Sequence, residues 1–225
     1  MSARVPAAPV PQLVIFDCDG VLVDSEVISN GVLARMLTAD GLPTTVVEAR
    51  RDFQGLLLCE VRERAQEKLG PRLPPDWIAR FESERAAAFH RELRPVRGAR
   101  EAVERVRAHG VAVCVASQGK PEKIELSLEL TKLRRLFPDD GLFSAYAVAR
   151  GKPHPDLFLH AAAKMGTEPS RCVVVEDTPS GVTGAVSAGM RVLGYGADSD
   201  AHALRRAGAE VFGSLTELPE LLGLA

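Results

Sequence analysis

Several features that mark specialised classes of protein are scarce or missing in this sequence of 225 residues. It has four cysteines and no C-x-x-C pair, so neither a disulfide scaffold nor structural zinc is predicted. The net charge of −2 argues against a large nucleic-acid-binding surface. The apolar runs are far shorter than the roughly 20 residues needed to cross a bilayer. We therefore expect a globular cytoplasmic protein without a nucleic-acid or membrane partner.

The chain length and the first residues limit the possible domain organisation. A chain with 46% hydrophobic and 26% charged residues is typical of globular proteins, and this one is long enough for a core with a smaller insert. Residues 1–12 contain three prolines and one basic residue, and they lack the apolar centre of a signal peptide. We expect them to form a flexible tail.

Residues 26–94 carry helical patterns and no strand pattern. Apolar residues recur at helical spacing over Val27–Leu37 and again between Leu58 and Leu69, and Asp76 is a suitable N-cap for a third helix. Glycine and proline follow the first two patterns and predict their ends. The charges of this stretch cancel, so a helical module with solvated faces is predicted.

The rest of the chain alternates between strands and helices. Short apolar runs predict strands at Leu13–Phe16, Val111–Ala116, Leu142–Val148, Arg171–Val175, Arg191–Gly194 and Glu210–Phe212. Helices are predicted between them, one of which covers Pro121–Arg135. This alternation predicts an α/β fold with a Rossmann-like parallel sheet and helices on both faces. Residues 25–94 are then an inserted helical cap on a core formed by residues 13–24 and 95–225.

Chemically reactive residues follow several of the predicted strands. The first strand ends in Asp17 and Asp19, the second in Ser117, and the strand near residue 142 leads to Lys152. A fourth strand ends in the pair Glu176-Asp177. Ligands of open parallel sheets bind at the carboxyl ends of the strands, so these side chains are expected to meet in one crevice.

Each of these residues also has a plainer structural interpretation. The acidic pairs fit polar strand ends before a turn, Ser117 fits a helix cap, and Lys152 fits an exposed surface lysine. The convergence of all of them on one edge of the sheet favours a functional site.

The motifs resemble those of the haloacid dehalogenase superfamily, in particular its capped phosphatases related to β-phosphoglucomutases and phosphogluconate phosphatases. The residues that carry the resemblance are FDCDGVLVDSE from Phe16, the strand that ends in Ser117, GKPHPD from Gly151, and VVVEDTPSGVTGAVSAGM from Val173. Together they cover the chain from Leu13 onward, although the cap is similar only in length and helical character.

The resemblance implies the catalytic residues of a phosphatase. Asp17 is implied as the nucleophile that forms an aspartyl-phosphate, and Asp19 as the group that protonates the leaving oxygen and later activates water. Lys152 would place a positive charge beside the phosphoryl group, and Ser117 would donate a hydrogen bond to it.

The resemblance also implies a Mg²⁺ site, because carboxylate and carbonyl oxygens are the ligands that Mg²⁺ prefers. The implied ligands are the carboxylates of Asp17 and Asp177 and the backbone carbonyl of Asp19. Glu176 would lie in the outer shell of the ion or contact Lys152.

A β-phosphoglucomutase-type phosphomutase is the main alternative. Such mutases carry a histidine ten residues after the general acid and an arginine in a cap loop, where this chain has Ser29 and Leu58. Because a cap arginine is the natural anchor for a second phosphate, its absence at that position favours a hydrolase. Asp19 argues against dehalogenase chemistry, because the dehalogenases that this chain resembles lack the second aspartate.

The substrate is expected to be a small phosphorylated metabolite, a sugar or sugar-acid phosphate, because FQGLLLCEV and LTELPELL resemble segments of sugar-acid phosphate phosphatases. Candidate substrate contacts are Glu26, Asn30 and Gln54. A receiver-like phosphoacceptor and a non-catalytic binding protein are less favoured alternatives, and the oligomeric state cannot be predicted.

Overall fold

The central element of the fold is a six-stranded parallel sheet. The computed structural model describes residues 10–53 and 56–224, without the side chain of Arg72. The strand order is β3-β2-β1-β4-β5-β6. The strands are β1 (Leu13–Phe16), β2 (Ala112–Ser117), β3 (Leu142–Ser144), β4 (Cys172–Glu176), β5 (Arg191–Tyr195) and β6 (Glu210–Phe212). Because β1 is wholly apolar, it can lie in the middle of a sheet that is covered on both faces.

Helices cover both faces of this sheet, which confirms the predicted Rossmann-like α/β fold. On one face, the side chains of Val14 and Phe16 pack with α5 (Ala99–Ala108), α6 (Pro121–Leu130) and α10 (Leu218–Leu221). On the other, Leu13 and Ile15 pack with α7 (Asp156–Lys164), α8 (Pro179–Ser187) and α9 (Ala201–Ala207). In the described part of the chain, no helix combines the length and apolarity needed to span a membrane.

The remaining helices form a module between β1 and β2. They are α1 (Glu26–Ala39), α2 (Val46–Phe53), α3 (Leu58–Leu69) and α4 (Trp77–Glu92). The module has a hydrophobic cluster of its own, in which the rings of Trp77 and Phe81 stack with centroids 5.8 Å apart. We call residues 26–92 the helical module.

The two chain connections between the helical module and the sheet lie side by side. The amide of Asp24 donates to the carbonyl oxygen of Arg94, and the amide of Val96 donates to that of Leu22, each at 3.0 Å. Because both connections are only a few residues long and bond to each other, they form a narrow junction.

Three sequence-based predictions of secondary structure were wrong. Helix α2 was missed because only two of its eight residues are buried, which leaves a weak apolar pattern. The helix predicted over residues 121–135 ends at Leu130, since Lys132 has a left-handed backbone with φ 59°. The strand predicted over residues 142–148 ends at Ser144, whose hydroxyl accepts a hydrogen bond from the amide of Tyr146 and begins a short 3-10 turn.

Candidate active site

The carboxyl ends of three adjacent strands bring the predicted site residues together. Strand β1 lies between β2 and β4, so Asp17, Ser117 and Glu176 end neighbouring strands at one edge of the sheet. All three side chains are buried. Cys18 lies on the other face of the sheet, in the hydrophobic cluster that contains Val14 and Phe16, as the alternation of side chains along a strand predicts.

Lys152 joins two of the carboxylates. Its Nζ lies 2.5 Å from Asp17 Oδ1, 2.5 Å from Glu176 Oε1 and 3.1 Å from the carbonyl oxygen of Ala116. Burial alone would lower the pKa of Lys152, but the two carboxylates raise it above its usual value. The lysine is therefore charged and buried, which excludes its interpretation as an exposed surface residue.

Asp17, Glu176 and Asp177 form an acidic cluster whose ligand oxygens lie within 4.8 Å of one another. Burial raises the pKa of Asp17 to about 7. Lys152 acts to lower this pKa, but the neighbouring Glu176 carboxylate opposes that effect. Burial and the Glu176 carboxylate also raise the pKa of Asp177 well above its usual value. Three acidic groups this close repel one another unless a cation lies among them.

The hydrogen bonds of the cluster show which carboxylate oxygens remain available to a cation. Glu176 Oε1 contacts Lys152, and its Oε2 accepts three hydrogen bonds of 2.9 Å from the amides of Asp177 and Thr178 and the Thr178 hydroxyl. By contrast, Asp177 Oδ1 is buried and has no hydrogen-bond partner among the described residues. The donor set therefore fits Mg²⁺, with Asp177 available as a ligand and Glu176 already occupied.

Two glycines leave room for this cluster. A Cβ on Gly20 would lie 2.2 Å from Asp177 Oδ2, and a Cβ on Gly181 would lie 1.8 Å from Glu176 Oε1. Gly20 also has φ 78°, a left-handed backbone that favours glycine. The backbone can thus approach the carboxylates more closely than any other residue type would allow.

Asp19 has a different environment from Asp17. Its Oδ1 is bonded to Lys123 and to the Ser25 hydroxyl, and the Ser117 hydroxyl lies 3.4 Å from its Oδ2. Burial would raise the pKa of Asp19, but Lys123 and Ser25 outweigh it and lower the pKa. Sequence reasoning missed Lys123 and Ser25. Ser25 lies within the first motif, and Lys123 lies in the first turn of the helix after β2, so both positions offered a signal.

A partly open chamber of about 150 Å³ separates the sheet edge from the helical module. Asp17, Asp19 and Lys152 line it from the sheet, and Ser29 and Leu58, the two positions that distinguish mutases, line it from the module. Glu26 and Asn30 also line the chamber, and the Asn30 amide donates to Glu26 Oε2 at 3.3 Å. Burial raises the pKa of Glu26. Gln54 lies outside the described residues.

Arg85 of α4 also lines the chamber, and sequence reasoning missed it. The position that would carry the arginine of a mutase is Leu58, but the module brings a different arginine to the site. Arg85 follows Phe81 by four residues on α4, so the two side chains lie on the same face of the helix. This face borders the chamber.

Comparisons with known proteins agree with this geometry. A family model described as haloacid dehalogenase-like hydrolase matches residues 11–189. The 6-phosphogluconate phosphatase of Escherichia coli (strain K12) is 32% identical, over 93% of this chain and 94% of that protein. Hexitol phosphatase B of the same strain is 32% identical, over 93% of this chain and 96% of that protein.

A solved structure shows the same overall arrangement. It is a HAD family hydrolase from Deinococcus radiodurans R1 with bound phosphate and sodium, which is 32% identical to this chain. It superposes with a TM-score of 0.78, over 96% of this chain and 98% of that one. The likeness therefore extends over the sheet and the helical module together.

Proposed function

Because this chain belongs to the haloacid dehalogenase-like hydrolases and is a phosphoric monoester hydrolase, we propose that it releases phosphate from a small phosphorylated sugar or sugar acid with the help of Mg²⁺. The observation that carries the proposal is the acidic cluster at the sheet edge. There Asp17 shares Lys152 with Glu176, and Asp177 presents a buried oxygen without a hydrogen-bond partner among the described residues.

Asp17 is the proposed nucleophile. Its carboxylate oxygen attacks phosphorus, the substrate's alcohol oxygen leaves, and the phosphoryl group is held on Asp17 until water displaces it as phosphate. Lys152, 2.5 Å from Asp17 Oδ1, offsets the negative charge that gathers on the phosphoryl oxygens. Ser117, buried at the end of β2, can donate a hydrogen bond to the same group. Splitting the displacement into two steps helps because phosphate monoesters hydrolyse extremely slowly on their own.

Asp19 is the proposed proton carrier. It gives a proton to the leaving oxygen in the first step and takes one from the attacking water in the second. Lys123 and Ser25 hold its carboxylate at the sheet edge beside Asp17, and they favour its ionised form, which suits the second step. The first step requires an ionised Asp17 and a protonated Asp19, which is the reverse of what burial of Asp17 and the contacts of Asp19 favour without a bound cation.

The proposed Mg²⁺ ligands are the carboxylates of Asp17 and Asp177 and the backbone carbonyl of Asp19, with Glu176 in the outer shell. The contribution of the ion when bound is to keep Asp17 ionised and to reduce its repulsion from the phosphoryl oxygens. A cation at this position is supported by the raised pKa of both Asp17 and Asp177 and by Asp177 Oδ1, which has no hydrogen-bond partner among the described residues.

The helical module is the proposed cap of a core formed by residues 13–24 and 95–225. Lys120 of the core pairs with Glu82 of the module at 2.6 Å, and Arg50 of the module donates to the carbonyl oxygen of Asp198 at 2.8 Å. We propose that the module closes over the substrate to exclude water and swings on the paired connections near residues 24–26 and 94–98.

The proposed substrate class rests on the chamber and on the named activities of the relatives. Glu26 and Asn30 offer an acceptor and a donor that suit the hydroxyl groups of a sugar. The relatives named above are phosphatases of a sugar acid phosphate and of hexitol phosphates. Ser29, where a mutase would have histidine, supports hydrolysis over phosphoryl transfer between sugars.

The test is a screen of phosphorylated sugars and sugar acids for release of inorganic phosphate in the presence of Mg²⁺. We expect turnover that EDTA abolishes and that Asp17→Asn reduces to background, because an amide cannot act as the nucleophile. Asp139→Asn is the matched control, since Asp139 is fully exposed and lies outside the chamber. Full activity of Asp17→Asn would contradict the assignment of the nucleophile.

A further inference from the structure

The cations that line the chamber differ in how they are paired. Lys152 pairs with Asp17 and Glu176, Lys123 pairs with Asp19, and Lys120 pairs with Glu82. Arg85 lines the same chamber, and no carboxylate of the described residues forms an ion pair or a hydrogen bond with it. Asp19 and, less strongly, Glu82 act to raise the pKa of Arg85 against the effect of burial, but Asp19 makes its ion pair with Lys123 and Glu82 makes its ion pair with Lys120.

The position of the Arg85 guanidinium is defined by packing. Its Cζ lies 5.0 Å from the centre of the Phe81 ring, one helical turn earlier on α4. Burial lowers the pKa of Arg85, yet a guanidinium stays charged in proteins. A charged group that has lost much of its water and gained no counter-ion is costly, unless a ligand supplies the anion.

Arg85 lies opposite the groups proposed to hold the reacting phosphate. Lys152 and Ser117 belong to the sheet edge, whereas Arg85 belongs to the helical module. Arg85 also borders a second cavity of about 590 Å³ together with Lys120 and Tyr146. A substrate whose phosphate lies at Asp17 would therefore direct its other end toward Arg85.

We propose that Arg85 binds a second anionic group of the substrate, a carboxylate or a second phosphate, at the end remote from the reacting phosphate. Arginine suits this task because its planar fork makes two parallel hydrogen bonds to either anion. The inference rests on the proposed function and narrows it, since it makes sugar phosphates with a second anionic group better substrates than those of the same length whose remote end is uncharged.

The experiment compares matched substrate pairs at saturating Mg²⁺. One pair is gluconate 6-phosphate and glucitol 6-phosphate, which differ in a terminal carboxylate, and the other is fructose 1,6-bisphosphate and fructose 6-phosphate. We expect Arg85→Gln to lower kcat/KM by about 10- to 100-fold on the doubly anionic member of at least one pair, mainly through KM. The kcat/KM for the members whose remote end is uncharged should change less than about threefold, and the value for Arg85→Lys should fall between those of Arg85→Gln and the wild type. The pair that responds identifies the anion as a carboxylate or a phosphate.

The controls separate this inference from the proposed function. Arg91→Gln removes an exposed arginine from the same helix outside both cavities and should leave the ratios within each pair unchanged. Equal losses on both members of each pair would overturn the inference, because they would indicate a structural role or an effect through Asp19. An unchanged Arg85→Gln variant would overturn it as well. Absence of phosphate release by the wild type from all four compounds would instead refute the proposed substrate class, and the inference with it.

Discussion

At the scale of single residues, the site depends on two carboxylates, one residue apart, whose environments push their properties in opposite directions. Burial raises the pKa of Asp17 to about 7, whereas Lys123 and Ser25 lower that of Asp19. The positions of Asp17 and Asp19 in the sequence, one residue apart, do not predict that their pKa values shift in opposite directions. The difference comes from side chains that approach from a helix and from the junction with the module. Without a bound cation it favours a protonated Asp17 and an ionised Asp19, so attack by Asp17 would require a cation beside it to keep its carboxylate ionised.

Gly181 provides a residue-scale test of how tightly the acidic cluster is packed. In Gly181→Ala the new methyl group would lie 1.8 Å from Glu176 Oε1, so Glu176 must move away from Lys152. We expect the free energy of unfolding to fall by about 2–3 kcal/mol and phosphate release to fall at least tenfold. Urea unfolding and initial rates measure the two effects.

Gly31 is the matched control for that substitution. It also lies within a helix, but a Cβ there would meet no described atom within 4 Å apart from its chain neighbours and the nearby backbone of its own helix. We expect Gly31→Ala to leave activity unchanged and to raise the free energy of unfolding by about 0.5–1 kcal/mol, because alanine favours helix over glycine. Similar responses of the two variants would show that the cluster tolerates displacement of Glu176.

At the scale of secondary-structure elements, helix α2 shows how local capping can stabilise a helix that apolar periodicity does not reveal. The Thr45 hydroxyl accepts from the amide of Glu48 at 3.2 Å, and Glu48 Oε2 accepts from the amide of Thr45 at 2.8 Å. This reciprocal capping box is readable in the sequence as Thr45-x-x-Glu48. Helix α2 ends at Phe53, which lines the chamber, so the cap supports one wall of the site.

Removal of that cap tests its contribution to the module. We expect Thr45→Ala to lower the free energy of unfolding by about 1 kcal/mol and to increase amide hydrogen exchange in α2. Thr45→Ser keeps the hydroxyl and should retain most of the stability. If Ala and Ser behaved alike, the helix would depend on packing of Ala49 and Phe53 alone.

At the scale of the whole molecule, the parallel sheet concentrates negative charge at one of its edges. Three buried carboxylates meet there because β1 and β4 are adjacent in the sheet, although they lie far apart in the sequence. The fold therefore carries an electrostatic cost that a bound cation would relieve, so we expect metal binding to increase global stability.

This coupling predicts a metal-dependent unfolding transition. We expect Mg²⁺ at about 100 times its Kd to raise the free energy of unfolding by about 2.7 kcal/mol relative to EDTA. Asp177→Asn should remove this response and should be at least as stable as the wild type in EDTA, because it removes one of the repelling charges. Thermal unfolding with and without Mg²⁺ measures both effects. A full Mg²⁺ response in Asp177→Asn would exclude Asp177 as a ligand.

The sequence by itself determined the fold class and the family. It also predicted that one edge of the sheet brings together Asp17, Asp19, Ser117, Lys152 and the Glu176-Asp177 pair. These could be predicted because short apolar runs identify buried strands, and a parallel sheet must bring the ends of adjacent strands to one edge. The strand order itself, and hence which ends are adjacent, came only from the structure.

The tertiary structure also decided which residues complete the site from elsewhere in the chain. Lys123, Ser25 and Arg85 lie on helices or at their ends, and helical periodicity identifies a buried face without identifying what it is buried against. Whether Arg85 faces solvent or the chamber depends on how α4 is placed over the sheet edge, which long-range packing alone determines. Two carboxylates at the end of a strand can be read from the sequence, but the positive charges that make their environments different are brought there by the fold.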